Sequence, residues 1–342
     1  MWYITYDRWN GGLAHNFCDL FTTIAISNVF NIEYLHTNMY IDGREHRNTW
    51  WYTALKRKRE NWVKLVFDKE LPKFFNFKGN YRTLDILNSN HKIVNISNNK
   101  PFTFITLEEL RKIFSNYNRN DNILFRLITN NRIWIWEFYD LCNKNIVEIS
   151  LFNQIRNKFI DNMKFKPEIK KNTLSIHIRK GDCDEKELWS YNILTKIQKL
   201  YKIEKIIIHS MGTEEQMKEI SNFYNSKNIN ILEYKFNKDT IETVKEMLNS
   251  EIIICSSLGF FSKTVGFFSR SIKFYTNHPY SINNKSKGEL FPSYLYQNIE
   301  KYEIERNELY DFSINMIYCD HNGNFDENIF LESLRYNNKI NY

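Results

Sequence analysis

Ser175-Ile176-His177-Ile178-Arg179-Lys180-Gly181-Asp182 is the stretch on which the fold turns. Leu174, Ile176 and Ile178 alternate with Ser175, His177 and Arg179, the period-two pattern of a strand with one apolar and one polar face. Gly181 allows a sharp turn directly afterwards, and the Asp182 side chain is suited to tie that turn down. A guanidinium at such a point has an evident use. In open α/β sheets, ligands bind beyond the carboxyl ends of the strands, and arginine meets a phosphate bidentately. Arg179 is therefore the first candidate functional residue. The plainer alternative is a salt-bridged arginine beside a core histidine at a strand end.

Working outward, the chain from Leu174 alternates apolar strands with amphipathic helices across short joints, the pattern of a parallel sheet wound by helices. It predicts strands at Leu174 to Ile178, Lys205 to His209, Asn230 to Glu233, Ile252 to Cys255 and Ile272 to Tyr275. Helices are expected between them at Glu187 to Leu200, Glu214 to Asn225, Thr240 to Leu248 and Phe260 to Phe268. The N-terminal half is less regular, with a strand at Trp2 to Tyr6, a glycine turn, a helix from Asn16 to Val29 and a strand near Tyr34. Thr106-Leu107-Glu108-Glu109 has capping-box spacing and predicts a helix start. Leu151 to Met163 reads as a helix bridging the halves, with Lys164 to Lys171 as linker. The 342 residues, 42% apolar, are enough for two domains and too many for one compact layer.

The net charge of +7 suits an anionic ligand, but the charges are spread along the chain and would equally suit nucleic acid. Lys56-Arg57-Lys58-Arg59, with Trp50, Trp51 and Trp62 nearby, is the one dense basic and aromatic region, with a solvated helix face as its ordinary reading. Cys18, Cys142, Cys183, Cys255 and Cys319 are odd in number and lack paired spacing, so neither a disulfide framework nor a zinc cluster is indicated. Asp182-Cys183-Asp184 has the form of a D-x-D metal site, but nothing near it in sequence supplies further oxygen ligands. No metal is expected. The chain lacks the ~18-residue apolar run of a membrane span and opens without the charged head of a signal sequence. A soluble, cytoplasmic protein of bacterial or viral style is the expectation.

The octapeptide resembles the H-x-R-x-G-D signature of the fucosyltransferases that use GDP-fucose, the group containing α1,2-, α1,6- and protein O-fucosyltransferases. Asn10-Gly11-Gly12-Leu13-Ala14-His15-Asn16-Phe17 resembles the glycine-rich G-x-x-G-N-Q loop that opens many of them, although Ala14 replaces a glycine and His15-Asn16 replaces Asn-Gln. Ile252 to Ser262, with Ser256-Ser257-Leu258 at its break, resembles their N-S-x-F-S-W-W region, with Phe260 and Phe261 in place of tryptophans. Ile208-His209-Ser210-Met211-Gly212 stands where the family has F-S-D-D and lacks both aspartates.

The resemblance implies the GT-B architecture, two Rossmann-like domains facing across a cleft. Residues 1–165 would be the acceptor side, 172–300 the nucleotide-sugar domain and 301–342 a helical extension. It implies an inverting, metal-independent transfer of fucose from GDP-fucose to a sugar hydroxyl, with no cofactor. Gly11, Gly12, Asn16, His177, Arg179, Asp182, Ser256, Ser257 and Leu258 would bind the donor. Arg179 would stabilise the departing diphosphate, and His15 is the candidate base for the acceptor proton, with Asp7, Asp19 and Asp184 as other candidates. Asp239 or Glu242 would approach the guanine or ribose; for Asp239 a helix-start carboxylate is the ordinary reading. Transfer from another nucleotide sugar is the alternative within enzymes, and a non-catalytic nucleic-acid-binding protein the alternative outside them.

Overall fold

The computed structural model describes residues 1–6, 13–36, 82–96, 107–128, 157, 160–161, 163–180, 185–229, 232–257, 261–267, 269–276 and 315–339. They divide between Phe165 and Lys166 into two compact α/β units, each built on a parallel sheet.

In the N-terminal unit, β1 (Trp2–Tyr6), α1 (Leu13–Phe30), β2 (Glu33–Tyr34), β3 (Lys92–Ile96), α2 (Leu107–Ser115) and β4 (Ile123–Leu127) follow in chain order. The strands lie side by side as β2-β1-β4-β3, all parallel. Aromatic edges hold this unit together: the Phe125 ring lies 5.1 Å from Trp2 and 4.7 Å from Phe114 of α2, both edge-on. Arg119 stacks 4.1 Å from the Trp2 ring and donates to the carbonyls of Phe30 and Asn31, so the last turn of α1 finds donors for its open carbonyls. The helix expected from Asn16 starts earlier, at Leu13, which puts His15 and Asn16 inside its first turn. Of the expected bridge at Leu151 to Met163, only residues 157, 160, 161 and 163 are described, the first three helical.

The C-terminal unit runs β5 (Lys170–His177), α3 (Leu188–Leu200), β6 (Lys205–Ser210), α4 (Glu214–Asn225), β7 (Leu232–Phe236), α5 (Thr240–Leu248), β8 (Ser250–Ile254), α6 (Phe261–Phe267), β9 (Ile272–Tyr275), β10 (Met316–Tyr318) and α7 (Glu327–Lys339). The linker expected to end at Lys171 is therefore one residue pair too long, because Lys170 and Lys171 already belong to β5. Helix starts follow their capping chemistry. The Thr213 hydroxyl accepts from the Gln216 amide at 3.3 Å while the Gln216 side chain accepts from the Thr213 amide at 2.9 Å, and Asp239 Oδ1 accepts from the amides of Ile241 and Glu242.

Strand order across this sheet is β10-β9-β8-β5-β6-β7, every pair parallel. The chain steps from β5 out to β7, then returns to the other side of β5 and steps out again through β8 to β10. The direction of winding thus reverses between β5 and β8, the doubly wound pattern with its switch point at the carboxyl ends of those two strands. Leu174, Ile176 and Ile178 are fully buried on one face with Trp189, Ile193 and Ile197 of α3, Met217 and Ile220 of α4 and Phe330 of α7. Ser175 and His177 point to the opposite face, where α5 and α6 pack against each other. The expected helical extension at 301–342 needs correction: its described part first supplies strand β10 to the sheet edge, and only then α7. Among the described residues no helix is long and apolar enough to cross a membrane.

Candidate functional site

The switch point gathers the ends of two strands. After β5 the backbone continues through Ile178, whose amide donates to the His209 carbonyl at 3.0 Å, to a half-buried Arg179. After β8 it continues through Cys255 to Ser256 and Ser257, both buried. Between the two ends sits a carboxylate that no motif marks. Glu185, 2% exposed, accepts from the Arg179 amide (2.6 Å) and the Ser256 hydroxyl (2.6 Å) through Oε2. Through Oε1 it accepts from the Ser257 amide (2.5 Å) and hydroxyl (2.6 Å). The Glu185 amide in turn donates to the Arg179 carbonyl at 3.2 Å. Burial raises the Glu185 pKa, and the four donors act against that rise by favouring the charged form.

Ser256 and Ser257 are expected among the donor-binding residues. Both hydroxyl protons and the Ser257 amide are instead directed at Glu185. Glu185 lies in the charged run Asp184-Glu185-Lys186-Glu187, which reads as solvated loop; its one distinguishing signal is its place in the β5–α3 connection at the sheet's carboxyl edge.

His177 is the second member of the site. Its Nδ1 is 3.2 Å from the Ser262 hydroxyl at the start of α6, and its ring lies 5.3 Å from that of Phe261. The same Ser262 oxygen accepts from the Ser256 amide at 2.8 Å, so His177 and the Ser256 turn share one small anchor. Burial first, then the neighbouring His209 and Arg179, hold the His177 pKa down at about 3, which makes the imidazole neutral near pH 7.

Lys180 is turned the other way. Its side chain is fully buried, with Nζ 2.9 Å from Glu187 Oε1 and 3.7 Å from Glu219 Oε2. Of the two adjacent cations in the octapeptide, Lys180 is buried and Arg179 is half-buried at the strand end. Asp239 caps α5, its ordinary reading. Gly11, Gly12, Asp182 and Leu258 lie outside the described residues, as do Asp7, Cys183, Asp184 and the basic run Lys56 to Arg59 with Trp50, Trp51 and Trp62. His15, Asn16 and Asp19 are placed by their backbone in α1, and their side chains lie outside the described part.

No protein-family model and no curated protein matches the sequence. Among solved structures, the chain is similar to NodZ alpha-1,6-fucosyltransferase co-crystallised with GDP, at 11% identity and a TM-score of 0.42 over 80% of this chain and 94% of that one. It is also similar to POFUT1 in complex with GDP, at 11% identity and a TM-score of 0.36 over 78% of this chain and 93% of that one.

Proposed function

We propose that this chain is a glycosyltransferase that takes its sugar from a nucleoside diphosphate donor, with GDP-fucose the first donor to try. One observation carries the reading: Arg179 and the Ser256-Ser257 turn stand together at the point where the winding of the C-terminal sheet reverses. That is where doubly wound sheets hold nucleotides. A half-buried arginine beside a neutral imidazole is suited to a diphosphate, which needs positive charge and donors without a general acid of its own. The preference for GDP-fucose rests on the H-x-R-x-G-D resemblance of residues 177–182.

In this reading Arg179 stabilises the negative charge that gathers on the diphosphate as the sugar departs, with His177 beside it. His15, in the first turn of α1, is the candidate to take the acceptor proton. No metal is needed, because Arg179 supplies the cationic role that a divalent ion would otherwise fill. Removing one such anion stabiliser typically costs about 100- to 1,000-fold in kcat.

The test is a donor screen by release of free nucleoside diphosphate, run beside thermal unfolding with each ligand. GDP-fucose and GDP should raise the melting temperature where UDP-sugars do not, and Arg179→Ala should abolish the rise. Stabilisation by UDP-sugars alone would replace the donor. Protection by single-stranded oligonucleotides with no effect of any nucleotide sugar would overturn the reading.

A further inference from the structure

We infer that Glu185 is a positioning residue for the donor site: its buried carboxylate ties the end of β5 to the end of β8 and so fixes where Arg179 stands to meet the diphosphate. This rests on the nucleotide reading given above and extends it to a residue that would touch no substrate.

Arg179 follows one strand and Ser256-Ser257 another, and parallel strands are hydrogen-bonded only as far as their ladders run. The last β5–β8 ladder pair is Ile176 with Ile254, so beyond it no ladder holds Arg179 to Ser257. Glu185 supplies the missing link, since one oxygen takes a donor from each strand end and the other takes two from Ser257. Two of its four donors are backbone amides, which cannot reverse their polarity.

That point separates Glu185 from a general buried acceptor. In Glu185→Gln one oxygen becomes an NH2, and each side-chain position faces a main-chain N–H: Arg179 at one, Ser257 at the other. Whichever way the amide is turned, a donor meets a donor and one strand end is released. Glu185→Asp keeps the charge but is one methylene shorter, too short to span both ends. A second reading of the same geometry is that the carboxylate mimics a phosphate and blocks the site until it swings away. Its 2% exposure favours a permanent tie beneath the site over a plug at its mouth.

The experiment is calorimetric titration with GDP and with GMP on the full chain, for wild type, Glu185→Gln and Glu185→Asp. It is joined by amide hydrogen exchange without nucleotide. A positioning role moves the GDP to GMP affinity ratio, because the site's preference for the second phosphate is what the tie maintains; mere loss of stability would leave that ratio alone. The ratio should fall roughly tenfold or more in Glu185→Gln and in Glu185→Asp. In wild type the amides of Arg179 and Ser257 should be protected, and both substitutions should speed their exchange.

Wild-type protein that binds GDP, with variants of unchanged ratio, overturns this inference and leaves the nucleotide reading standing. A variant that binds GDP more tightly than wild type also overturns it, in favour of the phosphate mimic. Wild-type protein that binds neither nucleotide sinks the nucleotide reading and this inference together. Should neither variant fold, exchange of the wild-type Arg179 and Ser257 amides at the unprotected rate would be enough to dismiss the tie.

Discussion

His177 of β5 and Ser262 of α6 are joined through Nδ1 and Oγ at 3.2 Å, and the same Ser262 oxygen holds the Ser256 amide at 2.8 Å. Ser262 is fully buried, so one hydroxyl serves both the half-buried His177 ring and the buried Ser256 amide. Ser262→Ala should therefore lower stability by roughly 1–3 kcal/mol, seen as a lower urea midpoint with an unchanged slope. It should also weaken GDP binding, since the His177 ring and the Ser256 turn lose their shared anchor. A midpoint equal to wild type would show that neither bond contributes.

The pH dependence of stability follows from the same ring. His177 titrates at about 3 in the folded chain against 6.5 when unfolded, with burial the main cause. Below the unfolded value the unfolded chain binds a proton that the folded chain refuses, so stability is full above 6.5 and falls as the pH drops toward 3. The loss approaches about 1.4 kcal/mol per pH unit. His209, held down at about 4 by burial first and then by Lys235, adds a slope of the same sign. Urea unfolding of wild type and His177→Gln across that range isolates the first ring. The advantage of wild type over the variant should shrink steadily with acidification, and a constant difference would mean that His177 titrates in the folded state as it does in the unfolded chain.

The C-terminal sheet was readable because its strands are apolar runs bounded by capped helices: β9 and the spans of α4 and α5 match the periodicity to the residue, and Leu174, Ile176 and Ile178 bury the face their alternation assigns. Strand β3 escaped because only Ile96 of its five residues is buried, so no alternation marks it. Strand β10 escaped because three residues are too few to show a period, and it is recognised only by its ladder with β9. At the site, Arg179, His177 and the serine pair stood at strand ends that a pattern can find. Glu185 did not. Its role depends on two strand ends brought together with some seventy residues between them, a relation in space that no local spacing encodes.

Lys180 and Glu187 form a buried ion pair at 2.9 Å, with the lysine side chain wholly enclosed. Removing one partner of such a pair strands the other charge in a poorly hydrated site, a larger penalty than the pair's own net worth. Lys180→Met should cost roughly 3–5 kcal/mol, and Lys180→Met combined with Glu187→Gln should recover part of that loss. The check is a double-mutant cycle in urea. Strict additivity would show that Lys180 is not coupled to Glu187 and would move the weight of its charge to Glu219, 3.7 Å away.

Gly323 closes the turn that leads from β10 into α7, and its φ of +74° lies in the left-handed region. The turn is fixed from several sides: Asp320 Oδ1 accepts from the amides of Asn322 and Asn324, and Trp189 Nε1 donates to the Asp320 carbonyl at 2.9 Å. A Cβ at Gly323 would stand 3.0 Å from both the Trp189 carbonyl oxygen and Ile193 Cγ1 of α3. Two separate costs are thus expected of Gly323→Ala, roughly 1–2 kcal/mol for the left-handed backbone and a further part for crowding α3. Gly323→Asn separates them, because asparagine tolerates the left-handed region but carries the same Cβ. A Gly323→Asn protein as unstable as Gly323→Ala would assign the loss to contact with α3, and a recovery toward wild type would assign it to the backbone. Thermal unfolding of both variants decides between the two, and wild-type stability in each would show that the turn yields without cost.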